Sequence, residues 1–355
     1  MADARETNRR RLRRLTEMGT TQAIDKANRA LRDAWAVGRK PDDVVLRVDL
    51  IQLSGDVAGR APLVRLIQSR GIALRFYLLA IFEAQCRLQV KAPWTSERPL
   101  TGVGSWADFI AIDGAYDAQS GTYMPDTKQG RTGNDLRLRQ IQAALRALES
   151  LGPEQSLVSV PRARKGGRRQ YGEFSLMKET GIGGYQTPDV YSVPRNHWSA
   201  RTVTIPAEFF LNGWVQVLHP SEVATWLILR ALSQWARDQH ILSGVYLFGK
   251  ARQEDFGMQR DPWEDACQRL RDFDLIRHAH SGDLDSDPDK SGNVVAQYFA
   301  RMGRERYEPY RWQITDRGLR KDALKTCMKE LTIRQKALDA AADRRSRKKG
   351  EPPTE

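Results

Sequence analysis

The chain has 355 residues, with 57 Lys and Arg against 44 Asp and Glu, which gives a net charge of +13. A hydrophobic content of 40% excludes a wholly disordered chain, and the longest apolar run, 76–82, is much shorter than the roughly 20 residues of a membrane-spanning helix. An excess of positive charge favours polyanionic partners, namely DNA, RNA or an acidic membrane surface.

The N-terminal segment, 1–44, is predicted to be a flexible basic arm followed by a helix. The arm contains five arginines, Arg9, Arg10, Arg11, Arg13 and Arg14. A charged arm is commonly unordered until it meets a partner, and it can then follow the minor groove of DNA or remain a solubilising tail. Apolar residues at helical spacing predict the helix over 22–37.

The first folded unit is expected at 45–195. An apolar stretch at 72–88 predicts a buried helix, and Ser105 is a favourable N-cap for a short helix after it. A longer helix is predicted over 134–150, with one apolar stripe. Two strand-like runs separated by a Gly-Gly pair then predict a hairpin over 157–177.

The helix at 134–150 and the tip of the hairpin carry the candidate DNA contacts. A helix fits the major groove, where Arg can pair with guanine and Gln with adenine. The candidates on and before this helix are Thr132, Asn134, Arg137, Arg139, Gln140, Gln142 and Arg146. The candidates at the tip, where no acid interrupts the basic run, are Arg162, Arg164, Lys165, Arg168 and Arg169. Such a tip suits the DNA backbone or the minor groove, whereas the alternative is a solvated helix face and a solubilising hairpin.

A second unit, predicted at 196–325, repeats the same order of elements. Pro220 opens a helix, a short strand follows at 245–248, and a second helix is predicted at 252–256. Asp261, Pro262 and Glu264 then predict the start of a third helix, with Asp261 at the N-cap. Strands on either side of a polar loop complete the unit.

The second unit is acidic where the first is basic. Its third helix carries several acids, and the loop after it contains four aspartates within 283–289. Acids on a face that must approach phosphates are unfavourable, so we expect the first unit to read DNA and the second to contribute backbone contacts or protein contacts. The weaker candidates for DNA contact are Arg9, Arg10, Arg11, Arg260, Arg269, Arg301 and Arg304.

The repeated order of helix, short helix, longer helix and hairpin resembles a winged-helix unit. Two such units in one chain resemble the tandem winged-helix replication initiators of bacterial plasmids and regulators of actinobacterial mobile elements. The resemblance implies a mainly α fold with small β hairpins, flexible basic termini and a helical C-terminal segment at 326–355. It also implies sequence-specific binding of double-stranded DNA, for replication initiation or for transcription regulation.

Two other functions stay open at this stage. One is a sequence-tolerant architectural or segregation protein, and the other is a nuclease or relaxase without a recognisable signature. No nucleotide-binding, hydrolase or zinc-protease motif occurs, so we expect no enzymatic activity, cofactor, metal or small-molecule ligand. Cys86, Cys267 and Cys327 lie far apart, which favours a reducing, cytoplasmic location on plasmid or nucleoid DNA. A homodimer is compatible with paired DNA half-sites, and no membrane partner is expected.

Overall fold

A computed structural model describes the chain over most of its length. The described residues are 4–52, 60–68, 72–112, 115–117, 122–124, 133–151, 155–164, 167–180, 189–195, 201–247, 249–279 and 311–350. For 68, 115–117, 122–124, 133–135 and 345–350 only the backbone is described.

Helices dominate the described part of the chain. They are α1 (Ala4–Thr20), α2 (Ala23–Val37), α3 (Pro62–Gln68), α4 (Ala73–Arg87), α5 (Gly133–Glu149), α6 (Glu208–Leu211), α7 (Trp214–Val217), α8 (Pro220–Trp235), α9 (Arg237–Ser243), α10 (Gly249–Asp255), α11 (Arg260–Asp272), α12 (Asp316–Leu319) and α13 (Ala323–Gly350). Single 3-10 turns lie at Val48–Leu50, Trp106–Phe109 and Tyr171–Glu173. The prediction of a mainly α fold is therefore confirmed.

The strands are short and pair antiparallel. They are β1 (Asp43–Arg47), β2 (Ala115–Asp117), β3 (Thr122–Met124), β4 (Val158–Ser159), β5 (Ser175–Leu176), β6 (Thr202–Pro206), β7 (Ile276–His278) and β8 (Trp312–Ile314). The pairs are β1 with β6, β2 with β3, β4 with β5, and β7 with β8. The small β hairpins expected from the sequence are confirmed at β4–β5, and β7 and β8 are the strands expected around the second polar loop.

Two helices form the centre of the hydrophobic core. Of the 15 residues of α4, 13 are buried, and of the 16 residues of α8, 11 are buried, so both helices are enclosed on most of their faces. Phe82 of α4 stacks on Phe210 of α6, with 4.6 Å between ring centroids. Phe209 in turn stacks on Trp226 of α8 at 4.9 Å. These aromatic contacts join the two predicted units into one continuous core.

The β1–β6 ladder also joins the two units. Asp43 pairs with Pro206 and Arg47 with Thr202, so a strand near the predicted boundary at 44/45 is paired with a strand beyond the boundary at 195/196. Arg230 of α8 donates from Nε to the carbonyl oxygen of Thr204, 3.0 Å away. The ladder thus pairs a strand at the start of the first predicted unit with a strand of the second. The domain boundaries stay predictions.

The N-terminal arm is helical, so the prediction of flexible basic termini is wrong for α1. Leu15 and Met18 of α1 are buried, each with 2% exposure. Asn8 donates from Nδ2 to the carbonyl oxygen of Leu331 at 2.9 Å and to Oε1 of Gln335 at 3.0 Å. Helix α1 therefore lies against α13, whose amphipathic first half supplies the apolar partners that an isolated arm would lack.

The C-terminal segment and the third helix of the second unit also differ from the predictions. The expected single C-terminal helix is interrupted after Leu319, and α13 then runs to Gly350 rather than ending in a loose tail. Helix α11 begins at Arg260 with Gln259 as its N-cap, so Asp261 is the second helical residue and not the cap.

Candidate nucleic-acid interface

Helix α5 presents an exposed basic face opposite its buried stripe. Ile141, Leu145 and Leu148 are completely buried, as their spacing predicts. Arg139 and Arg146, seven residues apart, lie on the same exposed face because two helical turns separate them. No carboxylate among the described residues pairs with either guanidinium, and both are available to an anionic partner.

Not every candidate on α5 is equally accessible. Gln140 and Gln142 are half-buried at the flanks of the exposed face. Arg137 is also half-buried and donates from Nε to the carbonyl oxygen of Ile112 at 3.4 Å, where it lines a groove beside α2. Part of the hydrogen-bonding capacity of Arg137 is therefore used within the protein. The side chain of Asn134, and Thr132 as a whole, lie outside the described residues.

The predicted hairpin is present after α5. Val158 pairs with Leu176 and Ser159 with Ser175. Arg162 and Arg169 form a further bridge, and the amide of Gly167 donates to the carbonyl oxygen of Arg164 at 2.7 Å, which closes the turn. We call residues 162–169 the basic tip; Lys165 within it lies outside the described residues.

The basic tip exposes three arginines and ties a fourth to α5. Arg162, Arg164 and Arg168 are exposed, and no described carboxylate pairs with them. Arg169 instead forms an ion pair with Glu149 of α5, with 2.8 Å between Nη2 and Oε2. Oε1 of Glu149 also accepts from the amide of Val160 at 3.0 Å. Glu149 therefore holds the base of the tip against the C-terminal end of α5.

The role of Glu149 in holding the basic tip was not predicted from the sequence. A lone acid at the end of a basic helix is disfavoured by the helix dipole, which is a signal that it has a specific partner. The sequence alone does not identify that partner, because the ion pair depends on how the hairpin folds back. Arg169 accordingly serves to position the tip and is the least available of its arginines.

The second unit offers less cationic surface. Arg260 pairs with Glu264 of the same helix, with 2.7 Å between Nε and Oε1. Arg269 keeps only 15% of its side chain exposed and lies 3.7 Å from Asp272. Burial and the nearby charge of Arg334 lower the pKa of Arg269 to about 10. Arg269 therefore faces the interior and offers little surface to DNA, and its DNA contact stays a prediction; Arg301 and Arg304 lie outside the described residues.

Strand β8 has neighbours on both sides in the second unit. Val245 exchanges two backbone hydrogen bonds with Trp312, of 2.8 and 2.7 Å, on the side opposite β7. The ring of His278 stacks on Trp312 with 4.3 Å between centroids. His278 therefore has a packing role, and the part of the chain that is described contains no cluster of three His, Cys, Asp or Glu side chains suited to a metal ion.

Three arginines of α1 form ion pairs within the protein. Arg9 lies 3.5 Å from Asp339 of α13, and Arg10 donates from Nε to Glu6 at 3.1 Å. Arg11 forms a two-fold ion pair with Glu222 of α8, with N–O distances of 2.5 and 2.7 Å. Glu222 is only 3% exposed, so its ion pair holds Arg11 against the interior, and the DNA contact of Arg11 stays a prediction.

No helix in the described ranges combines the length and apolar content of a membrane span. No known protein family, curated protein or solved structure matches this chain.

Proposed function

We propose that the chain binds double-stranded DNA through α5 and the basic tip, in the manner of a winged-helix protein. The observation that carries the proposal is the pair of adjacent cationic surfaces without acidic partners. Arg139 and Arg146 lie on α5, and Arg162, Arg164 and Arg168 lie on the tip that Glu149 fixes to it. A helix with a cationic face can lie in the major groove while an arginine-rich tip contacts phosphates or the minor groove.

The second unit is proposed to have a winged-helix arrangement as well, with a lesser role at the DNA. Helices α8, α10 and α11 precede β7 and β8, and the strand residue Val245 pairs with β8. Such an order supports two units of one type. The internal pairing of Arg260 and the burial of Arg269 support the unequal roles expected from the acidic composition.

The test is a comparison of two variants by fluorescence anisotropy on labelled duplexes over a range of salt concentrations. We expect R139Q/R146Q to weaken binding to a selected site by about 1–3 kcal/mol for each of the two arginines that pairs with a base. We expect R162Q/R164Q/R168Q to weaken binding to all duplexes. The slope of log affinity against log salt should fall by about 0.9 for each phosphate that these arginines neutralise in the wild type.

The matched control removes three exposed arginines from elsewhere on the surface. R39Q/R237Q/R317Q lowers the net charge as much as the tip variant does, but these residues lie after α2, on α9 and on α12. Equal weakening by the control and the tip variant would mean that overall charge, and not this interface, determines binding.

Replication initiation or transcription regulation is proposed as the role of such binding. Selection of bound duplexes from a random pool, using the full chain, separates this role from its alternatives. One recurring motif supports a site-specific initiator or regulator, and maintenance of a plasmid carrying that motif distinguishes the two. Recovery without a motif would instead support an architectural or segregation protein, and divalent-metal-dependent cleavage of the duplex would support a nuclease or relaxase.

A further inference from the structure

A cavity of about 520 Å³ lies among α1, α4, α8, α11 and α13, away from α5 and the basic tip. Its volume falls in the range of small-molecule sites, which is roughly 300–1,000 Å³. Residues from all five helices line it, so its shape is fixed by the main body of the fold. The exposed residues of the lining, which mark where it opens to solvent, are Ala4, Thr7, Arg10, His219 and Asp265.

The lining of this cavity is strongly cationic. Six arginines face two carboxylates, Glu222 and Asp265. Glu222 is already neutralised by Arg11, and it also accepts from the amide of His219 at 2.8 Å. The arginines that remain are Arg10, Arg14, Arg75, Arg269 and Arg334. We call the last four of these the cavity arginines.

Several guanidinium nitrogens of the cavity arginines are buried without a hydrogen-bond acceptor. They are Nη1 of Arg75, Nη1 of Arg269 and Nε of Arg334, none of which makes a hydrogen bond to a described residue, although Nη1 of Arg269 lies 3.7 Å from Oδ2 of Asp272. Leaving such donors unsatisfied in the interior is costly, because each has lost its hydration without gaining a partner. Three donors on three different helices, all on residues that line one cavity, are therefore left without a hydrogen bond.

The cavity arginines also repel one another. Burial and the charge of Arg14 lower the pKa of Arg75 to about 9. Burial lowers the pKa of Arg334 as well, despite the attraction of Asp272 and Asp265. Burial is the main cause of both shifts, and at Arg75 the positive charge of Arg14 adds to it.

Part of the remaining wall of the cavity is apolar. Leu15, Leu74 and Leu78 line one part, and Val223 and Leu331 line another. A small inorganic ion would leave these surfaces uncovered, whereas an organic body of nucleotide size would cover them. Guanidinium groups bind phosphate through paired N–H donors, and several of them suit a group with more than one negative charge.

We propose that this cavity binds a small organic phosphate with two or more negative charges, of nucleotide size. The cavity arginines bind its phosphate oxygens, and the leucines and valines contact its organic part. The site is separate from the proposed DNA interface, since none of its residues belongs to α5 or the basic tip. Duplex DNA is too wide for a cavity of this volume, so the ligand is a free small molecule.

Isothermal titration of the full chain tests the proposal, with inorganic phosphate, AMP, ATP and citrate as probes at constant ionic strength. We expect ATP to bind more tightly than AMP, and AMP more tightly than phosphate, because charge and organic surface both contribute. We expect R75Q and R269Q each to weaken ATP binding roughly 10- to 100-fold, which is the usual effect of removing a hydrogen bond to a charged group. R29Q, an exposed arginine on α2, is the matched control and should leave binding unchanged.

A second measurement separates a ligand site from a structural role. If the cavity arginines serve a ligand, R75Q relieves charge repulsion and should keep or raise the Tm of the protein without ligand, while it reduces the rise in Tm that ATP produces. A fall in Tm without ligand, together with ATP binding equal to wild type, would overturn the proposal.

Three further outcomes would also overturn it: no binding of any probe to the wild type, tighter binding of citrate than of ATP, or ATP binding that is abolished in R162Q/R164Q/R168Q but kept in R75Q. The last result would place the nucleotide on the basic tip. Because DNA binding is measured separately on the same variants, failure at the cavity leaves the proposed DNA interface untouched.

Discussion

The Arg11–Glu222 pair shows that an arginine in a basic cluster can stabilise the fold through a buried ion pair. The two residues are 211 positions apart, so the sequence gives no indication that they meet. Glu222→Ala leaves the Arg11 guanidinium charged and buried with the carbonyl oxygen of Val217 but without its carboxylate partner. We expect this change to lower the free energy of unfolding by about 3–5 kcal/mol, measured by urea denaturation. R11M/E222L removes both charges and should cost much less; an equal loss in both variants would show that packing, not the ion pair, is responsible.

The same ion pair should make the free energy of unfolding depend on pH in the acid range. Burial alone would raise the pKa of Glu222, but the charge and hydrogen bonds of Arg11 and the amide of His219 outweigh burial and lower it. The stabilising contribution is therefore complete above the ordinary pKa of 4.5 and is lost as pH falls through the lower folded value. We expect the stability of the wild type to fall more steeply below pH 4.5 than that of R11M/E222L, in thermal melts at successive pH values. Parallel curves would contradict a lowered pKa.

The cysteines are expected to be inert in the folded protein. Burial raises the pKa of Cys86 to about 12, so its thiolate population near neutral pH is very small. Cys267 and Cys327 are also buried, and burial raises the pKa of both thiols. We expect no modification by a thiol reagent at about pH 8 in native buffer and three modified thiols in denaturant, counted by mass spectrometry. Rapid labelling of the native chain would contradict the packing around them.

At the scale of elements, α1 is the clearest difference between sequence and structure. Its arginines suggest a solvated arm, whereas Leu15 and Met18 are core residues. We expect Leu15→Ala to lower the free energy of unfolding by about 2–5 kcal/mol, as for other buried leucines, and the exposed neighbouring change Thr16→Ala to have little effect. Urea denaturation measures both. If Leu15→Ala left the free energy of unfolding unchanged, α1 would be a solvated arm and not part of the core.

Local patterns predicted the elements of the candidate interface well. The stripe of α5 and the glycine-centred turn of the basic tip are encoded within a few residues, and both are present as expected. Features that depend on distant residues were not predictable in this way. Glu149 holding Arg169, Arg137 turned towards Ile112, and the burial of Arg269 all result from tertiary packing, which overrides the polarity of a single residue.

At the scale of the whole molecule, the two predicted units share one core and one β ladder. The pairing of β1 with β6 and of α1 with α13 crosses any single cut between the units. We therefore expect fragments 1–195 and 196–355 not to fold separately, as judged by dispersed amide signals in NMR spectra. The full chain should show coincident unfolding transitions by fluorescence and circular dichroism. Two folded fragments, or two separated transitions, would show that the units are independent.

The contact between α1 and α13 can form during synthesis only after α13 has been made. Asn8 of α1 and its partner Leu331 of α13 are 323 positions apart, so α1 is synthesised well before the helix that it packs against. At a synthesis rate of about 5–20 residues per second, roughly 15–65 s pass between the synthesis of α1 and that of the part of α13 that covers its apolar side. During that interval the arginines on its other side keep the nascent helix hydrated, and chaperones have an exposed Leu15 and Met18 to bind. A charge cluster that resembles a DNA-binding arm can thus protect a growing chain from premature association.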